Sequence, residues 1–329
     1  GKDEETQLLA FHRRHRDRVS QALDGGGGGR FGGGIDGAGG AGDLVRGSSG
    51  MGSAKQLTQG IIALSEQGAK LWFTELHVDL FRIVNEHVEL GINTGIEVVL
   101  FNVLLACADF LVDVQNGLLA RCRSHWRTLG FIYLCALINN CRRCAELWGK
   151  VLETSASERS PLSEPLAANL HLGYVSDGFV NLGYAAMQLA ARRVLAQLET
   201  PLSALFSGKD HHVGEMAALV DHFLQMVRDG VAGEHATRLC AITLELLLCT
   251  YGVMLFASDA PLSARTPSVL ATDLAVFERL LDTHCAAGPF ASRHKAATRT
   301  RALALLTMLR SLCELLASAL TPGVTPTPT

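Results

Sequence analysis

Two cysteines three residues apart, Cys141 and Cys144, form a pattern that could carry chemistry. Paired thiolates at this spacing bind zinc or exchange a disulfide. A structural zinc site takes four ligands, normally from two such pairs, and the sequence contains no second Cys-x-x-Cys pair. A redox pair places its first cysteine at a helix N-terminus after a strand, whereas hydrophobic periodicity puts Cys141 in the middle of a helix. The pattern therefore favours cysteines that pack on one face of a helix.

A group of imidazoles and carboxylates near the start of a later helix is the second candidate. His211 and His212 lie about one helical turn before Glu215, so each would share a face with that carboxylate, and Asp221 and His222 follow. These side chains could hold a divalent cation in a helical metalloenzyme. The segment lacks a His-Glu-x-x-His arrangement, and the chain shows no nucleophile elbow. We therefore expect no catalytic residue, no metal and no cofactor, and the metalloenzyme is kept as an alternative hypothesis.

Glycine is concentrated in one segment, since nearly half of the 33 glycines lie between Gly25 and Gly52. A phosphate-binding loop needs Gly-Lys-Ser/Thr between a strand and a helix, and no such lysine follows here. Residues 24–53 consist mainly of Gly, Ala, Ser and Asp and predict a flexible insertion. Before them, a basic run from His12 to Arg18 lies at a predicted helix end. A solvated helix face is the preferred interpretation of that run, and contact with acidic lipid or a partner is the alternative.

The composition of the 329 residues excludes several classes of protein. Hydrophobic residues make up 48% of the chain, enough for a sizeable core and too many for a disordered protein. The net charge is only −3 and aromatic residues are scarce, so no nucleic-acid binding is predicted. No apolar run reaches the roughly 20 residues of a membrane span, and no signal peptide is visible. The nine cysteines are scattered through apolar helical segments, which indicates reduced, core-packing thiols in a cytosolic protein.

Helical periodicity dominates the chain from residue 54 onward. No stretch alternates apolar and polar residues for long enough to predict a β-sheet. Proline, glycine and polar breaks separate long segments, and Pro201 is expected to stop one of them. The sequence therefore predicts an all-α fold of elongated bundles of antiparallel helices. The predicted organisation is a helix end with the basic run at 1–23, the glycine-rich insertion at 24–53, a helical bundle at 54–156, a linker loop at 157–166, one or more further helical bundles at 167–320 and a disordered tail at 321–329.

Three short motifs follow one another along the helical part of the chain: Asp79-Leu80-Phe81-Arg82 with Asn85, then Ile138-Asn139-Asn140 in an apolar helix, then Leu205-Phe206 with Asp221 and Phe223. In type and order these motifs resemble the Sec-six family, exocyst complex component three. The resemblance covers about residues 71–227. The chain departs from the family pattern at His222, which replaces a tyrosine, at a missing tryptophan after Phe206, in a shorter spacing between the last two segments and in the glycine-rich insertion.

The resemblance implies a rod of stacked helical bundles and a non-catalytic subunit of the exocyst, a vesicle-tethering complex. Such a subunit would act in docking secretory vesicles at the plasma membrane before SNARE-mediated fusion, in the cytoplasm and peripherally at sites of exocytosis. The implied partners are other exocyst subunits and SNARE proteins, with membranes contacted through the complex, and neither nucleic acid nor a small-molecule substrate. Another helical scaffold or tethering-complex interaction protein is the alternative.

The motif residues are implied to be structural rather than catalytic. They are Leu80, Phe81, Asn85, Ile138, Asn139, Asn140, Asp221 and Phe223. We expect Asn139 and Asn140 to be hydrogen-bonded within the packed helices, because an unpaired buried amide costs about 1–3 kcal/mol.

Overall fold

The computed structural model describes residues 61–66, 69–157, 162–163, 165–166, 170–205, 213–257, 266–285 and 293–320. Within them lie a two-stranded hairpin of β1 (Ile62–Glu66) and β2 (Ala69–Phe73) and eight helices. The helices are α1 (Leu76–Asn93), α2 (Glu97–His125), α3 (Phe131–Ser155), α4 (Tyr174–Leu205), α5 (Val213–Gly230), α6 (Gly233–Ala257), α7 (Thr266–Cys285) and α8 (Arg293–Leu320). The chain forms two compact units: unit 1 comprises Gly1–Ile62 and Phe73–Ala185, and unit 2 comprises Ala63–Trp72 and Ala186–Thr329.

The hairpin lies in a region that periodicity assigned to the helical bundle at 54–156, so that part of the prediction was wrong. Each strand has five residues, which is too short for alternation to be told apart from a helical pattern. Leu71 and Phe73 of β2 are both buried, as expected for alternate residues of a strand. The Trp72 ring between them lies against Gly230 so closely that a Cβ there would overlap it. The hairpin is therefore held by packing that sequence periodicity does not encode.

In unit 1, α1 packs against both α2 and α3. Its apolar stripe is buried and consists of Leu80, Phe81, Val84 and Val88, with Val84 fully inaccessible to solvent. The α1–α2 connection is a tight turn, in which the Thr94 hydroxyl donates to the Gly91 carbonyl at 2.7 Å and Gly95 adopts a positive φ of 63°. Only glycine takes that backbone conformation without strain. In the first turn of α2, Leu100 packs against Gly91, where an added Cβ would lie 3.1 Å from the Leu100 Cδ1 atom.

Within unit 1, two side-chain hydrogen bonds attach the backbone at the start of α4 to α2 and α3. The indole N–H of the fully buried Trp148 donates to the Leu172 carbonyl at 3.0 Å. The Gln115 amide donates to the Val175 carbonyl at 2.8 Å. The two bonded carbonyls come from the chain entering α4 and from its first turn, and their donors come from α3 and α2. Each of these buried polar groups therefore has a partner, as a packed interior requires.

In unit 2, α6 packs against α5, α7 and α8. Leu239, Leu244, Leu247 and Leu248 of α6 are all buried. By length and composition alone, the segment Gly233–Leu255 could also cross a membrane, and half of its most apolar window is buried inside the protein. Contact with three other helices accounts for the apolar character of α6, since a helix that is hydrophobic all round is the kind found in the core of a domain.

α4 extends past the residue at which the sequence predicts its end. The predicted helix stops before Pro201, whereas α4 includes Pro201 and ends at Leu205. A proline inside a helix removes one hydrogen bond and costs about 3 kcal/mol. Leu198 and Leu202 lie four residues apart and are both buried, so apolar packing continues across the proline and offsets that cost. A boundary between the two compact units falls inside α4, between Ala185 and Ala186.

Candidate functional site

The Ile138-Asn139-Asn140 motif lies in the middle of α3, where all three side chains are buried. The Asn140 amide donates to the Thr74 hydroxyl at 2.6 Å. Its Oδ1 atom lies 3.0 Å from the Nδ1 atom of His77 and accepts a longer hydrogen bond from the Thr74 backbone N–H at 3.4 Å. The hydrogen bonds predicted for Asn140 are therefore present, and they attach the beginning of α1 to the centre of α3.

The neighbouring motif in α1 contributes apolar contacts. Leu80 and Phe81 are buried, whereas Asn85 is exposed. The His77 ring also packs against Phe73, with 5.2 Å between the ring centroids. Thr74 and His77 were missed at the sequence level, although His77 falls four residues before Phe81 on the same helical face. That position is a detectable signal for a buried histidine.

Two residues of the third motif, Asp221 and Phe223, lie in α5 of unit 2, whereas Leu205 is the last residue of α4 and Phe206 lies outside the described residues. Phe223 is buried, and the Asp221 carboxylate accepts a hydrogen bond from His284 Nε2 on α7 at 2.7 Å. The His284 side chain is 1% exposed and Asp221 56% exposed, so the pair spans from the core to the surface. Seven residues after Asp221, Arg228 donates to the Thr283 carbonyl at 3.4 Å, one of the last carbonyls of α7 that has no partner within its own helix. The polar residues of α5 thus position α7.

A buried tyrosine–aspartate pair in unit 2 was also missed by sequence reasoning. The Tyr251 hydroxyl of α6 donates to the Asp273 carboxylate of α7 at 2.6 Å, and both side chains are buried. Burial, and then the neighbouring Asp273 carboxylate, raise the pKa of Tyr251 well above its usual range. The signal was available, because Asp273 falls on the apolar stripe that contains Leu270 and Phe277.

The cysteines have no surroundings that would activate a thiolate. Burial raises the pKa of Cys141 and Cys144 far above the usual range, the opposite of what nucleophilic chemistry or metal binding needs. Eight of the nine cysteines are buried and all nine are free thiols. Cys249 is exposed, which corrects the expectation that every cysteine packs in the core. The Cys141-x-x-Cys144 pattern is a packing feature of α3.

The candidate metal ligands are only partly within the described residues. His211 and His212 lie outside them, as do the basic run from His12 to Arg18 and the glycine-rich segment. Glu215 is exposed in the first turn of α5, and Asp221 bonds to His284. Among the residues that the structure describes, no group of three or more His, Cys, Asp or Glu side chains could hold a metal ion.

A family comparison decides the identity of the chain. The family model described as exocyst complex component Sec6 matches residues 53–315, which is most of the chain. The chain belongs to the Sec6 family. It is an exocyst subunit that acts in vesicle tethering, as the sequence resemblance implied.

A solved Sec6 structure supports the fold. The chain is similar to the protein in the crystal structure of the C-terminal domain of the exocyst subunit Sec6p, with a TM-score of 0.68 and 12% sequence identity. The similarity covers 98% of this chain and 79% of the Sec6p domain chain. At that identity the likeness establishes the fold, and the prediction of an all-α helical-bundle fold is confirmed. The Sec6 family is a family of tethering scaffolds. A structural role for the polar side chains described above, which bond to neighbouring helices within each unit, agrees with that.

Proposed function

We propose that this Sec6-family chain is a non-catalytic subunit that helps the exocyst dock secretory vesicles at the plasma membrane before SNARE-mediated fusion. Its partners would be other exocyst subunits and SNARE proteins, and it would reach vesicles and the plasma membrane peripherally, through the complex, from the cytoplasm. The family match over residues 53–315 carries this proposal. Neither a cofactor, a small-molecule substrate nor nucleic acid belongs to it.

The buried polar contacts support a scaffold. Asn140 bonds to Thr74 and His77, Asp273 bonds to Tyr251, and each contact joins different elements of one unit. Groups used in this way fix how helices pack, because a buried polar group is tolerated only when it is bonded. Packed helices present ridged surfaces against which helices of another subunit can dock.

Co-purification tests the proposal. The full-length protein carrying an affinity tag would be isolated from cells under mild conditions, with the tag alone as control. Recovery of several exocyst subunits is the expected result, and recovery of none would reject the tethering role. SNARE proteins would be assayed separately by adding purified SNAREs to the isolated complex. A complex that contains exocyst subunits but binds no SNARE would reject only the SNARE contact.

Metal analysis tests the enzyme alternative. Elemental analysis of the purified protein would be compared with that of a His211→Ala, His212→Ala variant. We expect less than stoichiometric metal in both proteins. Stoichiometric metal that is lost in the variant would restore the metalloenzyme hypothesis.

A further inference from the structure

The end of α2 and the turn that follows it contain a cluster of basic side chains. Arg123, His125 and Arg127 are all exposed, and Trp126 between them is half-buried. We call these four residues the α2-end cluster. Arg123 and Arg127 are four residues apart, which places them on the same side of the helix end. The Arg127 guanidinium lies over the Trp126 ring, 5.3 Å from its centroid, so the cluster presents positive charge beside an aromatic ring.

The α2-end cluster has no acidic residue near it in the sequence. From residue 114 to residue 145 there is neither aspartate nor glutamate, although the whole chain has 32 acidic residues and a net charge of −3. In the part of the chain that the structure describes, Arg123 and Arg127 make no ion pair, whereas Arg142 and Arg143 of α3 both pair with Glu146. No carboxylate of the described residues therefore neutralises the two arginines of the cluster.

Stabilisation of the helix end accounts for only part of this cluster. Basic side chains near a helix C-terminus interact favourably with its unbonded carbonyl groups, and Arg123 and His125 lie in the last turn of α2. The His125 carbonyl already accepts hydrogen bonds from the Thr128 hydroxyl at 2.9 Å and from the backbone N–H groups of Thr128 and Leu129. Like charges four residues apart destabilise a helix, so helix stability does not explain why Arg127 accompanies Arg123.

The chemistry of the α2-end cluster matches an anionic membrane surface. Basic side chains are attracted to a leaflet that contains anionic lipid, and arginine binds phosphate groups through paired hydrogen bonds. Tryptophan is enriched at the membrane–water interface, where its ring lies at the level of the lipid headgroups. Nucleic acid fits less well, because the chain as a whole is slightly acidic and offers it no broad positive field. Charge and aromatic ring together therefore favour lipid.

We propose that the α2-end cluster binds anionic membrane lipid directly, with Arg123 and Arg127 at the headgroup phosphates and Trp126 at the level of the headgroups. This inference rests on the proposed function, in which the chain works beside the plasma membrane, and it adds a direct lipid contact to an association otherwise made through the complex. Two arginines bind a membrane weakly when they act alone. The contact gains strength when the complex holds the chain at the surface, because the second binding event is then intramolecular.

Vesicle binding of the full chain tests the contact. The purified protein would be sedimented with phosphatidylcholine vesicles that contain or lack phosphatidylserine, at low and at physiological ionic strength. We expect binding only to the vesicles with phosphatidylserine, and weaker binding at the higher ionic strength because salt screens exposed charges. Equal binding to both kinds of vesicle, or no binding to phosphatidylserine at low ionic strength, would overturn the proposal.

Charge removal at the cluster provides the specific comparison. Arg123→Gln with Arg127→Gln should lower the affinity for phosphatidylserine vesicles about 25-fold, since each basic residue near an anionic surface contributes about fivefold. Arg192→Gln with Arg279→Gln is the matched control, because it removes two exposed arginines of unit 2, and it should change the affinity less than about twofold. Equal affinities of the two variants, at matching melting temperatures, would refute the contact.

Tryptophan quenching gives a second measurement that is tied to the α2-end cluster and needs no change of charge. The chain has three tryptophans, of which Trp148 is fully buried and Trp72 packs against Gly230. Brominated phosphatidylcholine, mixed with phosphatidylserine in the vesicles, should quench the fluorescence of the unaltered chain and leave that of Trp126→Phe unquenched. Quenching that Trp126→Phe retains in full would place the lipid contact elsewhere on the chain and overturn the proposal.

Co-purification separates this contact from the exocyst role. The tagged Arg123→Gln, Arg127→Gln protein should recover exocyst subunits in the same amounts as the unaltered protein. Recovery of no subunit by either protein would reject the tethering role, and the vesicle measurements would still decide the lipid contact. Loss of a subunit from the variant alone, with vesicle binding unchanged, would show that the cluster binds an acidic protein surface and would overturn the lipid proposal.

Discussion

Tyr251 and Asp273 face each other inside unit 2, with 2.6 Å between the phenolic oxygen and a carboxylate oxygen. The Tyr251 ring also packs edge-on against Phe277 at a centroid distance of 5.2 Å. One side chain of α6 thus contributes both a hydrogen bond to a buried carboxylate and an apolar contact with the same neighbouring helix. The contact joins α6 and α7 at a point where a carboxylate has little access to water, so its loss should be measurable.

Tyr251→Phe keeps the ring and removes the hydroxyl donor. Hydrogen bonds to charged groups contribute about 1.5–3 kcal/mol, so we expect the free energy of unfolding to fall by about that amount in urea titrations. Tyr174→Phe is the matched control, because Tyr174 is exposed, and it should change stability by less than about 0.5 kcal/mol. Equal stabilities for the two variants would contradict a stabilising role for the buried bond.

Asn140→Ala removes the side chain that joins α3 to Thr74 and His77. We expect a loss of about 1–3 kcal/mol, together with faster amide hydrogen exchange in the first turns of α1. Asn85→Ala is the control from the same family motifs, and since Asn85 is exposed it should stay within about 0.5 kcal/mol of the unaltered chain. A larger loss of stability in Asn85→Ala than in Asn140→Ala would show that burial does not decide how much each side chain contributes to stability.

Gly230→Ala should destabilise the chain, because the added methyl group would overlap the Trp72 ring. Overpacking of this kind costs about 1–3 kcal/mol, and a change in tryptophan fluorescence should accompany it. Gly149→Ala is the opposite case. An added Cβ at Gly149, inside α3, has no atom within 4 Å, so alanine should stabilise the helix by about 0.5–1 kcal/mol. Thermal unfolding of both variants would measure the difference, and stabilisation by Gly230→Ala would mean that Trp72 moves freely.

Stability should decrease as the pH rises through the range in which unfolded thiols ionise. Burial raises the pKa of Cys107 to about 12 and that of Cys122 to about 11, whereas a thiol in an unfolded chain ionises near pH 8.5. A folded pKa above the unfolded one gives stability that is complete below about pH 8.5 and is lost as the pH rises toward the folded pKa. Each thiol then lowers the free energy of unfolding by up to about 1.4 kcal/mol per pH unit.

The measurement is denaturant unfolding between pH 7 and pH 10 in the presence of a reducing agent. A Cys107→Val, Cys122→Val variant should show a flatter dependence of unfolding free energy on pH than the unaltered chain. A Cys249→Val variant is the control at an exposed position and should leave a steeper dependence than the double variant. Identical slopes in all three proteins would show that the buried thiols do not couple folding to proton binding.

Much of the secondary structure could be predicted because helical periodicity is local. Helices α4 to α8 all lie within residues 167–320, which were predicted to be helical, since a repeating apolar stripe depends on residues close together in the sequence. The hairpin at residues 62–73 and the extension of α4 past Pro201 were missed. In both cases distant packing, of Trp72 on Gly230 or of buried Leu202, offsets a weak or unfavourable local preference.

The sequence by itself determined the helical class and the Sec6 family of this protein, because apolar periodicity and short motifs are properties of residues close together in the chain. Only the tertiary structure decided which polar residues are structural. Asn85 and Asn140 are the same residue type in two motifs of one family, yet one is exposed and the other bonds to residues more than 60 positions away. Burial and hydrogen-bond partners depend on which helices meet, and that is settled by packing across the whole unit.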